Sequence, residues 1–172
     1  LQLENTLAMS LCDTGALSAI ISVEWVAVSQ HSAYVVCLEQ TSSMLEWDPL
    51  KWYPRADAIA MFTLSWEPSD LEVIAYDYTH LSIDANAEEL AHTSIKMTND
   101  MFDQFDLTTS NCVVIAHSLS KRYTQVLKTH LSSCEIKDDN RNLASADVFY
   151  TLHYTLTNLQ HQVPPFILLL IA

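Results

Sequence analysis

The stretch Asn111-Cys112-Val113-Val114-Ile115-Ala116-His117-Ser118-Leu119-Ser120 decides how this chain is read. A continuous apolar run of strand length stops at a histidine. Polar residues follow, and Leu119, Tyr123, Val126, Leu127 and Leu131 then recur on one helical face. The pattern predicts a buried strand that ends at His117 and a helix over Leu119–Leu131. In open α/β sheets, ligands bind in the crevice outside the carboxyl ends of the strands. His117 is therefore the first candidate site residue.

Downstream, Ser132–Arg141 reads as a polar connection. Asn142 suits an N-cap, and a helix is expected over Leu143–Leu159. Pro164 and Pro165 lead into Phe166–Ala172, an apolar run far too short to span a bilayer and expected to be a buried strand. Upstream, a helix is expected over Ile83–Phe105, capped by Asp84, with Glu88 and Glu89 in its early turns. Ala56–Ser65 and Leu71–Thr79 read as two strands joined by a hairpin turn at Trp66–Asp70. The second of them is expected to be covered on both faces. Ala33–Leu38 reads as a central parallel strand. The loop Gln40–Pro54, rich in tryptophan and proline, suits a pocket cover or a subunit contact. Ala16–Val28 reads as a helix buried on most sides, opened by the turn Cys12-Asp13-Thr14-Gly15 and preceded by a strand within Leu3–Leu11. Helices alternating with apolar strands predict an α/β fold on a mixed, mostly parallel sheet.

A chain of 172 residues suits a single domain. Eight Lys and Arg against 21 Asp and Glu give a formal net charge of −13. Nucleic-acid phosphates and anionic membrane surfaces are thus disfavoured as partners. No secretory signal pattern is read at the start. Cys12, Cys37, Cys112 and Cys134 contain no Cys-x-x-Cys pair, so neither zinc nor a disulfide framework is expected, and a reducing, cytoplasmic setting is. The histidines show no metal-ligand spacing. Gly15 is the one glycine, which excludes a glycine-rich phosphate cradle.

Several of these segments resemble the β-ketoacyl synthase III branch of the thiolase-like superfamily. Ala33-Tyr34-Val35-Val36-Cys37-Leu38-Glu39-Gln40-Thr41-Ser42 is similar to the strand and loop after that family's nucleophile helix. Arg55-Ala56-Asp57-Ala58-Ile59-Ala60-Met61 resembles its Gly-Asp-Gly-Ala-Gly-Ala strand entry, with the aspartate kept and every glycine replaced. Val114-Ile115-Ala116-His117-Ser118-Leu119-Ser120 resembles the Pro-His-Gln-Ala-Asn segment that carries the catalytic histidine. Asn142-Leu143-Ala144-Ser145-Ala146-Asp147-Val148 resembles the Asn-Thr-Ser-Ala-Ala-Ser segment that carries the catalytic asparagine.

The resemblance implies one layered thiolase-like unit over residues 1–172. Residues 1–80 form the nucleophile-helix half and 81–172 the His/Asn half, together about the second half of a full family member. It implies an acyltransferase acting on thioesters of coenzyme A or of an acyl carrier protein, with no resident cofactor or metal, working as a homodimer or heterodimer. In that chemistry a cysteine thiolate at a helix start accepts the acyl group. His117 and Asn142 would donate to the thioester carbonyl and to the enolate left by decarboxylation. Placing Gly15 on the family's Cys-Ala-Gly glycine puts Asp13 at the cysteine position. Either the turn shifts by one residue and Cys12 attacks, or the chain is an inactive relative that pairs with an active partner.

Each candidate also has a plainer role. His117 caps the helix or bonds within the core, Asn142 and Asp13 cap helices, and Cys12 is a small buried hydrophobe. A plain α/β interaction module without acyl chemistry is the more remote alternative.

Overall fold

A computed structural model describes residues 15–39, 58–67, 71–79, 85–132, 134–136, 143, 146–159 and 165–170. Over these residues the fold is mixed α/β. The element order is α1 (Gly15–Ser29), β1 (Ala33–Glu39), β2 (Ala58–Leu64), α2 (Ala87–Phe105), β3 (Cys112–Ala116), α3 (Lys121–His130), β4 (Cys134–Glu135), α4 (Asp147–Leu159) and β5 (Phe166–Leu170). No helix among the described residues is long and apolar enough to cross a membrane.

β3 is the centre of a three-stranded sheet of order β4-β3-β5, parallel on both sides. Its register runs from Cys112 opposite Phe166 to Ala116 opposite Leu170. Side chains alternate across a strand, and Val114 and Ala116 join a core with Ala91 and Ile95 of α2 and Tyr123, Val126 and Leu127 of α3. Leu168 and Leu170 of β5 pack against the same cluster. The opposite face of β3, with Val113 and Ile115, is left for α4. Ile115, Ala146 and Val148 are all buried there and lie outside that first cluster.

The helix ends follow from local chemistry. Asn86 caps α2: its side chain accepts from the amides of Glu88 and Glu89, and the Glu89 carboxylate accepts from the Asn86 amide at 2.9 Å. The expected cap, Asp84, lies outside the described residues. Ser120 caps α3 by accepting from the Tyr123 amide at 3.1 Å, which removes helix capping as the role of His117. With a single glycine in the chain, Gln30 after α1 and Asp106 after α2 take the left-handed backbone conformation that glycine usually supplies, at φ 56° and 51°.

Several expectations are corrected. Ala33–Leu38 is not a central parallel strand: β1 pairs antiparallel with β2 in a separate two-stranded sheet. Leu71–Thr79 forms no strand, so it supplies no second arm to the hairpin expected through Trp66–Asp70, and Leu71, Val73, Ile74, Tyr76 and Tyr78 are exposed rather than covered. That segment carries strand-like side chains, but no ladder forms to use them; the Tyr76 hydroxyl instead donates to the Glu24 carboxylate on α1. α1 is not buried on most sides either, since Trp25 and Val28 face solvent and Val26 faces inward. The strand expected within Leu3–Leu11 and the loop Gln40–Pro54 lie outside the described residues.

Leu127 is fully buried between α3 and the sheet. Leu127→Ala is expected to lower unfolding free energy by about 2–5 kcal/mol, and Asn86→Ala by about 1 kcal/mol. Urea melts followed by far-ultraviolet circular dichroism measure both. Equal losses would refute the contrast between a core side chain and an exposed cap.

Candidate functional site

The carboxyl end of β3 is polar and yet buried. His117 is 4 % exposed, Ser118 0 %, Leu119 7 % and Ser120 3 %. The backbone explains part of this. The His117 amide donates to the Leu170 carbonyl at 3.1 Å, one rung beyond the assigned strand. The Ser118 amide then donates to the carboxylate Oδ2 of Asp147, in the first turn of α4, at 2.5 Å. A carboxylate at a helix start is favoured by the helix dipole, so Asp147 serves its own helix and the end of β3 together.

α4 is unusual in what it buries. Asp147, Val148, Thr151 and Thr155 form its inward face. Spacings of three and four residues put them on one side of the helix, and three of the four are polar. The hydroxyls of Ser118 and Thr151 are buried and find no hydrogen-bond partner among the described residues. Each such group costs about 1–3 kcal/mol when left dry. A region that tolerates two of them is suited to a polar guest, such as water or a ligand oxygen.

Of the three residues expected to form the site, only His117 is described. It sits where the sequence places it, at the exit of the central parallel strand. Cys12 and Asn142 lie outside the described residues, as does Asp13. Sequence reasoning missed Asp147, Ser118 and Thr151 as companions of His117. The available signal was the repeat Asp147, Thr151, Thr155, a polar stripe at helical spacing beside Val148.

The other thiols differ in character. Cys37, Cys112 and Cys134 carry reduced thiols. Burial pushes the Cys112 thiol up from its ordinary pKa, only partly offset by a backbone hydrogen bond from Leu168. Burial likewise raises the Tyr123 phenol, whose hydroxyl lies 3.2 Å from Ser94 Oγ in the α2–α3 core. Among the described residues no group of three or more His, Cys, Asp or Glu is arranged to hold a metal. No protein-family model matches the chain, and no curated protein or solved structure matches it.

Two outcomes are expected here. Asp147→Ala strips the Ser118 amide of its acceptor and lowers stability by about 1–3 kcal/mol, whereas Thr151→Val, which removes a partnerless hydroxyl, is neutral or stabilising. Denaturant melts of both variants check this, and a clear loss in Thr151→Val would mean that the hydroxyl is bonded in solution. The Cys112 thiol is raised in the folded state, so its contribution is complete below the ordinary thiol pKa of about 8.5 and is lost as pH rises beyond it. Wild-type stability should fall above that point, and Cys112→Ala should flatten the fall in melts taken across the alkaline range.

Proposed function

We propose that this chain is a thiolase-like α/β unit resembling β-ketoacyl synthase III, acting on acyl thioesters of coenzyme A or an acyl carrier protein. The observation that carries the proposal is His117 at the buried exit of a central parallel strand, beside two buried hydroxyls that find no partner among the described residues. Around it the order is β3, His117, α3, the two-residue β4, α4 and β5; apart from β4, the order strand, histidine, helix, helix, strand of the family's catalytic half supports the layered reading. In this scheme the Cys12 thiolate attacks the thioester carbonyl, and the carrier leaves as its thiol. Decarboxylation of a second, malonyl-type thioester then releases carbon dioxide and leaves an enolate, whose carbon attacks the acyl carbonyl on Cys12; a carbon–carbon bond forms, the carbon–sulfur bond breaks, and Cys12 leaves as its thiolate. His117 and Asn142 donate hydrogen bonds to the oxygens on which negative charge develops. Donors aimed at developing charge are worth about 10²–10³-fold in rate each.

A second reading has its own support. Tyr34, Val36, Leu38, Ile59 and Met61 lie on one face of the β1–β2 hairpin, and all are exposed, Ile59 at 69 % and Met61 at 72 %. An apolar sheet face of that kind suits pairing with another chain. In this reading the protein is a non-catalytic thiolase-like subunit, with Asp13 in place of the nucleophile, that dimerises with an active partner. A cytoplasmic setting goes with either reading.

Iodoacetamide labelling followed by peptide mass mapping separates the two. A catalytic Cys12 should be alkylated well ahead of Cys112, whose thiol is buried and raised. Incubation with an acyl-coenzyme A should leave an acyl mass on Cys12, and His117→Ala should slow enolate formation from a malonyl thioester by about 10²-fold or more. An unmodified Cys12, with no carbon dioxide released from malonyl thioesters, rules out the enzyme and leaves the subunit reading. A monomer by light scattering, with no partner captured, rules out the latter.

A further inference from the structure

A cleft between α2 and α3 has a volume of about 190 Å³, and Glu88, His92, Arg122, Gln125, Thr129 and His130 are among its lining. Its two imidazole rings have centroids 5.9 Å apart and near-perpendicular planes, at 76°. His130 Nδ1 sits 2.9 Å from the Val126 carbonyl. A carbonyl only accepts, so Nδ1 carries the proton, and in the neutral ring Nε2 offers a lone pair. His92 Nε2 faces Glu88 Oε1 at 3.8 Å, which leaves His92 Nδ1 as its available ligand atom. A histidine whose far nitrogen is held by a carbonyl or carboxylate is the usual form of a metal ligand.

We propose that His92 and His130 form a two-imidazole site for a divalent transition-metal ion of the zinc or copper class, with water completing the coordination. Two imidazoles on one tetrahedral zinc, at about 2.0–2.1 Å per bond, place their centroids about 5 Å apart. The observed separation is wider, and binding requires the exposed His92 ring, on a side chain that is 55 % exposed, to turn its Nδ1 toward His130 Nε2. Charge favours a cation over an anion. Arg122, the one guanidinium in the lining, is occupied through both Nε and Nη2 by Glu88 Oε2, at 3.2 and 2.8 Å. The other carboxylate oxygen of Glu88 is turned to His92, and the chain carries a formal charge of −13. Imidazole donors select zinc, copper or nickel over magnesium and calcium. Glu88 stays on Arg122 as an outer partner; since no three His, Cys, Asp or Glu among the described residues are grouped to hold a metal, the remaining positions fall to water. The site stands apart from the acyl-transfer reading.

Calorimetric titration of the full chain, without a histidine tag, tests the assignment with zinc and copper(II). One ion should bind per chain. His92→Gln and His130→Gln should each weaken binding at least ~10-fold, the double variant should abolish it, and Glu88→Gln should weaken it less. His153→Gln, on the exposed side of α4, should leave it unchanged. Copper(II) electron paramagnetic resonance of the wild type should show coupling to two imidazole nitrogens, a readout that does not depend on how any variant folds. Unchanged affinity in the double variant, coupling to fewer than two nitrogens, or no binding of either ion at millimolar concentration would overturn the proposal.

Discussion

A buried parallel strand leaves its last amides without partners unless other segments meet them. That constraint organises the end of β3. The last rung of the β5 ladder is taken by the His117 amide and the Leu170 carbonyl. One residue later the Ser118 amide turns to the Asp147 carboxylate. Two residues beyond, the Ser120 side chain begins α3 by accepting from Tyr123. A buried amide left bare costs about 1–3 kcal/mol, so the start of α4 is fixed by the need to deliver a carboxylate to this spot. The polar character of the site is then a by-product of how a buried strand is allowed to stop.

The half of the fold around His117 was legible because its signals are local. An apolar run of strand length, a one-sided helical stripe and a proline-led final run led to β3, α3, α4 and β5, each within a few residues of its place. β4 was not legible, since Cys134–Glu135 is a two-residue strand set only by its partners Val114 and Ile115. The hairpin half misled for a different reason. Apolar residues on both faces of Ala33–Leu38 imply burial on both faces, but here one face is open to solvent. Whether a strand face is covered depends on what else packs on it, which one strand's composition does not encode. Leu71–Thr79 shows the same limit more sharply: β-rich residues form a strand only when a neighbour supplies a ladder.

The site was legible in part. His117 announced itself by ending an apolar run. Asp147 did not, because an acidic residue near a helix start is ordinary, and its bond to Ser118 joins segments far apart in sequence. The His92–His130 pair was invisible for a related reason. Each residue alone is a surface histidine on an amphipathic helix, and only the packing of α2 on α3 brings the rings together. Contacts made by tertiary packing leave no spacing in the chain to be read.

α4 joins the two sheets, and its helical phase shows how. At about 100° per residue, Asp147, Thr151, Thr155 and Val148 span an arc of roughly 100° that faces β3. Leu152, Leu156 and Phe149 come next around the helix and are half-buried, while Tyr150, His153, Tyr154 and Thr157 complete the circle in solvent. The half-buried arc meets the hairpin, where the ring of Phe149 stacks on that of Phe62 in β2 with centroids 4.2 Å apart. A two-stranded hairpin is at best marginally stable alone, so β1 and β2 draw their order from α1 and from this stack. The same helix thus holds the end of β3 through its polar arc and the hairpin through its aromatic one.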